Sequence, residues 1–196
     1  LAAVLDAFNP EGGQRRPDWV LFDPQTGEER LRTTSSPGIG SAIAFSPDAA
    51  NVVIGTSGSL GSVLIYDTEI GNPIAEIEGE SGRSQLNLAW TPDGSTIVVV
   101  SEAGVILWDA ETLEPLGQVR AVSSARQPPL SLSPDGRFVA AVDGDSTVFV
   151  LDLNSREVVA SFEGHVTQVT TLAFSPDGRW LASGAVDGTI LLWPLP

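Results

Sequence analysis

Large apolar residues fall on every second position in four short stretches of the chain: Ala42-Ile43-Ala44-Phe45, Asn87-Leu88-Ala89-Trp90, Pro129-Leu130-Ser131-Leu132 and Thr171-Leu172-Ala173-Phe174. A period of two is the strand period. Each stretch runs into a Pro-Asp pair, and three of the four pairs are followed by glycine. Proline presets φ and glycine accepts positive φ, so a tight turn is expected there. Behind each turn comes an unbroken apolar run: Val52-Val53-Ile54, Ile97-Val98-Val99-Val100, Phe138-Val139-Ala140-Ala141-Val142 and Trp180-Leu181-Ala182. A glycine-rich hairpin then leads to a third strand, as in Val105-Ile106-Leu107-Trp108-Asp109. A more polar fourth strand follows, as in Glu157-Val158-Val159-Ala160-Ser161-Phe162.

This pattern repeats. The turn tetrapeptide begins at Ser46, Thr91, Ser133 and Ser175, at offsets of 45, 42 and 42. A second landmark closes the third strand as Phe22-Asp23, Tyr66-Asp67, Trp108-Asp109, Leu151-Asp152 and Trp193-Pro194, at offsets of 44, 42, 43 and 42. Two landmarks sharing one period define a repeat, and four strands in such a period make one propeller blade. The expectation is an all-β chain of about five blade-sized units with four-stranded antiparallel sheets, the first and last incomplete. Leu1–Ala7, Asp18–Asp23 and Glu28–Thr33 read as the second, third and fourth strands of the first unit. The unit bounds are 1–36, 37–80, 81–122, 123–163 and 164–196, the last lacking its fourth strand, within a single partial propeller domain over 1–196.

The last unit carries a family resemblance. It reads Gly164-His165, then Phe174-Ser175-Pro176-Asp177-Gly178-Arg179-Trp180-Leu181-Ala182-Ser183-Gly184, then Asp187-Gly188-Thr189-Ile190-Leu191-Leu192-Trp193. This resembles the WD40 repeat family, of the kind found in bacteria. Earlier units match less fully: only the last keeps the Gly-His pair, and Leu60 takes the place held by Asp145 and Asp187. The resemblance implies a WD40-type β-propeller. It also implies a structural hydrogen-bond network of His165, Ser183, Asp187 and Trp193, in which the aspartate holds the histidine, the histidine bonds the serine, and the serine takes the indole N–H. With no methionine anywhere and Leu1 at its start, the sequence reads as the C-terminal segment of a longer protein.

Composition narrows the chemistry. There is no cysteine, so no disulfide scaffold, thiolate metal site or cysteine nucleophile is available. A single histidine leaves no two-histidine metal site, and the ten basic residues are all arginine, which removes a phosphate-loop lysine and a Schiff-base lysine. The formal net charge of −15 shows no basic stripe for a phosphate backbone, so no nucleic acid partner is expected. The apolar runs are strand-sized, so no membrane-spanning helix is expected and no membrane partner. No charged region followed by an apolar core opens the sequence, and a cytoplasmic location is the expectation.

Several groupings invite a chemical reading. His165, Ser183 and Asp187 have the residue types of a catalytic triad, but no Gly-x-Ser-x-Gly elbow accompanies them, and a buried histidine and tryptophan need such partners in any case. Asp143-Gly144-Asp145 spaces two carboxylates as calcium loops do, without the remaining ligands of that pattern, and reads as a turn. The glycines at 55, 58 and 61 precede a strand rather than a helix, so they do not form a phosphate cradle. No catalytic residue, cofactor or metal is therefore expected.

The expected function is a non-catalytic platform for a protein or peptide partner in a larger bacterial signalling or regulatory protein. On the resemblance, partners dock where the loops entering each first strand gather. Arg83, Gln85, Arg126, Gln127 and Gln168 are the candidate contacts there, arginine being enriched at interfaces. The alternative is a ligand-sensing or enzymatic propeller, TolB-like or with a channel site, whose key residues lie in other blades. The Gly-His pair and the tryptophans favour the first reading.

Overall fold

The computed structural model describes residues 2–6, 18–33, 39–57, 62–78, 87–101, 104–119 and 128–195. Among these the regular elements are eighteen strands, and no helix is long and apolar enough to cross a membrane. The strands form five antiparallel sheets in chain order. The first holds β1 (Ala2–Asp6), β2 (Asp18–Phe22) and β3 (Glu29–Thr33). The second holds β4 (Ile39–Phe45), β5 (Asn51–Ser57), β6 (Ser62–Asp67) and β7 (Pro73–Glu78). The third holds β8 (Asn87–Trp90), β9 (Thr96–Ser101), β10 (Gly104–Asp109) and β11 (Pro115–Gln118). The fourth holds β12 (Ser131–Leu132), β13 (Phe138–Asp143), β14 (Thr147–Asp152) and β15 (Glu157–Phe162). The fifth holds β16 (Val169–Phe174), β17 (Trp180–Ala185) and β18 (Ile190–Pro194). Three sheets have four strands, and the first and last have three, as the repeat predicts.

The Ser-Pro-Asp-Gly turn joins the first two strands of a sheet by one recurring set of bonds. The Ser46, Thr91 and Ser175 hydroxyls each donate to the aspartate two residues on, at 2.6 Å, and Ser133 bonds Asp135 in the same way. The same oxygen accepts the N–H of the residue five on, as in Trp180 to Ser175 at 3.0 Å. The fourth turn residue donates its N–H back to the first carbonyl. That residue sits in the left-handed region: Gly94, Gly136 and Gly178 at φ 74°, 72° and 69°, and Ala49 at 58°. Glycine meets this demand without strain.

The central strands explain the unbroken apolar runs. Ile97–Val100 in β9 are buried, and Val139–Val142 in β13 are buried on both faces, because the third sheet covers Val139 and Ala141 and the fifth covers Ala140 and Val142. One expectation needs correction. The alternating run Pro129–Leu132 forms a ladder only over Ser131–Leu132. Pro128 and Pro129 have no N–H to donate, so β12 begins after them.

The chain divides into two compact units, residues 1–88 and 89–196, the boundary falling within β8. In the first, Leu21 of β2 and Leu31 of β3 meet Val52, Ile54, Leu64 and Tyr66 of the second sheet. In the second, Val98, Val100, Val105 and Leu107 pack on Val139, Ala141, Phe149 and Leu151. The other face of that fourth sheet, Ala140, Val142, Val148 and Val150, packs on Val169, Leu172 and Leu181 of the fifth.

Candidate functional site

The fifth sheet gathers the chemistry-bearing residues. His165 lies on the segment entering β16, Ser183 in β17, Trp193 in β18, and Asp187 and Thr189 in the hairpin between β17 and β18. Gly164 lets the backbone pass close to the indole: a Cβ there would come 3.0 Å from Trp193 and 3.2 Å from Leu191. The Trp193 ring stacks on Phe162 at 5.0 Å between centroids and meets the edge of the His165 ring at 6.3 Å.

The polar atoms form a continuous chain. Trp193 Nε1 lies 2.8 Å from Ser183 Oγ, which lies 2.7 Å from His165 Nε2. His165 Nδ1 lies 3.1 Å from Thr189 Oγ1, which lies 2.7 Å from Asp187 Oδ1. The two ends set the direction of every proton. Indole N–H only donates, and an ionised carboxylate only accepts. Thr189 therefore gives its hydroxyl proton to Asp187 and accepts from His165 Nδ1–H. That makes His165 the Nδ1–H tautomer, its Nε2 accepts the Ser183 proton, and Ser183 accepts from Trp193. Each proton in the chain has one acceptor. The Thr189 hydroxyl, and then its N–H at 2.9 Å, hold the Asp187 carboxyl below its ordinary value.

This geometry corrects the expected contact between Asp187 and His165. The carboxylate does not take the histidine proton directly; Thr189 stands between them. Asp187 instead folds onto its own hairpin, accepting the N–H and hydroxyl of Thr189 two residues on, a local turn motif of aspartate. Thr189 is the member that sequence reasoning missed. Its signal is the Asp-Gly-Thr spacing, which puts a hydroxyl at the second residue after an aspartate.

The serine and histidine of this arrangement are withdrawn from solvent. Ser183 is 1% exposed and His165 is 6% exposed. The serine oxygen already donates to the imidazole and accepts from the indole. Among the described residues, no group of three or more His, Cys, Asp or Glu is placed to hold a metal ion.

Of the candidate contacts, Gln168 is described and half-buried. Its carbonyl accepts Val186 N–H at 2.9 Å, while Val169 N–H beside it donates to the Asp145 carbonyl at 2.7 Å. This segment thus ties the β17–β18 hairpin to the β13–β14 hairpin of the preceding sheet. Val166 and Val186 stand exposed on either side of it. Arg83, Gln85, Arg126 and Gln127 lie outside the described residues.

A buried charge in the fourth sheet was not anticipated from sequence. Asp152, at the end of β14, accepts Arg137 Nε at 2.8 Å and the N–H groups of Asn154 and Ser155. Burial pushes its carboxyl up, but these donors outweigh it and hold the group below its ordinary value. The Arg137 guanidinium also lies 4.8 Å over the Phe138 ring. In the fifth sheet Pro194 replaces that aspartate, and the equivalent Arg179 turns to Asp177 at 2.7 Å.

Residues 156–194 match the family model of the WD domain, G-beta repeat. No curated protein matches the chain. The matched span does not coincide with one sheet: it takes in β15, the outer strand of the fourth sheet, and then all of β16–β18. A sequence repeat of this kind therefore staples two neighbouring sheets together. With that match and the hydrogen-bond chain of the fifth sheet, residues 156–194 form a WD40 repeat, and the five successive antiparallel sheets have the all-β pattern of WD40-type blades.

Proposed function

We propose that this chain is a non-catalytic platform that presents loops to a protein or peptide, in the cytoplasm, within a larger bacterial signalling or regulatory protein. The observation that carries the reading is the closed chain from Trp193 to Asp187. The one histidine of the sequence and its serine are both buried and fully engaged, so the residues that resemble a triad serve to hold strands together. A net charge of −15 supports a partner other than nucleic acid or an anionic membrane surface. WD40 repeats are generally interaction modules, and the loop end carrying Gln168 is the proposed contact region; Arg83, Gln85, Arg126 and Gln127, expected as contacts from the sequence, lie outside the described residues.

Two measurements test this. Purified chain should show no turnover on a panel of esters, phosphoesters and glycosides. Turnover that vanishes in folded His165→Ala would overturn the reading. A photocrosslinker placed at Gln168 in cells should capture a discrete protein, while one at Arg179, at the opposite end of β17, should not. Equal capture at both positions would remove the loop end as the contact region.

A further inference from the structure

Aspartate followed by glycine is a chemically labile link in any protein chain. The glycine nitrogen, with no side chain beside it to hinder approach, attacks the aspartate Cγ. The carboxyl must be neutral: its OH departs with the N–H proton as one water, and a five-membered succinimide closes. Water then opens the ring at either carbonyl and returns aspartate or isoaspartate, whose backbone is longer by one carbon. The water lost is regained, so the mass is unchanged. The repeated turn of this chain places that link at Asp93-Gly94, Asp135-Gly136 and Asp177-Gly178. At all three the reacting atoms are occupied. The glycine N–H donates to the carbonyl three residues back, Gly94 to Thr91 at 2.8 Å, and Gly136 to Ser133 and Gly178 to Ser175 at 2.9 Å. The carboxylate Oδ1 accepts the hydroxyl of Thr91, Ser133 or Ser175. It also accepts, at 3.1 Å, the N–H of the residue two on. At Asp177 the second oxygen takes Arg179 Nε at 2.7 Å. The hydroxyl first, and then the donors two residues on, hold each carboxyl below its ordinary value. The ionised form is the one that cannot release water.

We propose that the hydroxyl opening this turn guards the Asp-Gly link behind it, and that Asp177-Gly178 is a latent isomerisation site, converting to isoaspartate when Ser175 releases its carboxylate. At this turn the hydrogen bonds act without help from crowding. A Cβ at Gly136 would meet Pro92 Cδ at 2.6 Å, so packing also closes in on that turn. Beyond its chain neighbours, nothing lies within 4 Å of the same position at Gly178. Asp177 and Arg179 are exposed, so the water of the second step has access. Thr91 makes in the third sheet the bond that Ser175 makes in the fifth, both at 2.6 Å. The hydroxyl is thus the common element, and not the rest of the side chain. Isoaspartate at 177 would displace the Gly178 N–H from the Ser175 carbonyl and the Trp180 N–H from the Ser175 hydroxyl. The damage would hold the turn open. This chemistry is independent of the loop end proposed above, and either proposal can fail without the other.

Incubation of the folded chain in mildly acidic buffer made with heavy-oxygen water tests it. Each ring opening leaves one heavy oxygen in the residue, and peptide mapping separates isoaspartate from aspartate. In the parent chain the three turn sites should isomerise far more slowly than in chain unfolded by urea. Ser175→Ala should raise the rate at Asp177 by roughly tenfold, the gain in neutral carboxyl when a pKa rises by about one. The rates at Asp93 and Asp135 should stay as they were. Ser175→Thr keeps the hydroxyl, as Thr91 does, and should keep the parent rate. If Ser175→Ala does not fold by circular dichroism, Thr91→Val, read at Asp93, decides in the same way. An unchanged rate at the neighbouring aspartate in the folded variant overturns the proposal. So does an equal rise at all three sites in a folded variant, or a parent chain that isomerises at Asp177 as fast as in urea.

Discussion

At residue scale the repeat is an internal control, because one structural position is filled by different side chains. The fourth residue of the Ser-Pro-Asp-Gly turn is glycine three times and Ala49 once, always at positive φ. A side chain there is strained where glycine is not. Ala49→Gly should therefore raise stability by about 0.5–1 kcal/mol, the gain from relieved strain exceeding the extra freedom of the unfolded chain. A higher urea midpoint at unchanged slope checks this. The turn between third and fourth strands repeats the lesson: Gly27 and Gly71 occupy a place that Leu113 and Arg156 fill at φ 58° and 61°. Asp177 shows what the turn does to a carboxylate. The Ser175 hydroxyl, the Arg179 side chain and the Arg179 N–H lower it from 3.8 to about 2. A depressed folded value means that the contribution is whole above 3.8 and is lost as pH falls toward about 2. An NMR titration should place the Asp177 midpoint near the lower figure. Asp177→Asn should lose less stability than the parent chain over that interval.

At the scale of the element, the fifth sheet is held by a hydrogen-bond chain that links β17, β18, the hairpin between them and the segment entering β16. Thr189 is its hinge, since it alone is both donor to Asp187 and acceptor from His165. Thr189→Val keeps the shape and removes the hydroxyl, leaving His165 Nδ1–H without its acceptor. The cost should be about 1–3 kcal/mol, the usual penalty for a buried donor stranded in this way. Thr189→Ser should restore most of it, which separates the hydroxyl from the methyl. Chemical unfolding followed by tryptophan fluorescence reads both. The four family-matched members of this chain were legible in the sequence because their spacing is particular. Thr189 was not, because the order of contacts depends on how tightly the hairpin turns: Asp187 satisfies itself on its own turn, and the threonine hydroxyl is what then reaches the ring.

For the whole molecule the dominant long-range term is charge. With 25 acidic and 10 basic residues, the folded chain concentrates −15 into a smaller volume than the unfolded one. Ion pairs offset this only locally, and Arg32–Glu29 and Arg179–Asp177 are solvent-exposed pairs of small worth. Stability should therefore rise between very low salt and physiological ionic strength, where the Debye length shrinks to about 8 Å. A thermal midpoint that falls over that range would mean that attractive pairs outweigh the net repulsion.

The sequence by itself determined the number and order of the strands, the turns between them and the depth of the repeat. These follow from short-range rules: alternation sets strands, proline and glycine set turns, and a period of about 42 residues sets the unit. Tertiary structure decided what distance along the chain hides. It set Arg137 on Asp152, fifteen residues away. It placed Thr189 between Asp187 and His165. It also decided which of two equally apolar faces is covered: Val150 and Leu192 look alike in sequence, yet one is buried and the other open, because burial belongs to the neighbouring sheet and not to the residue.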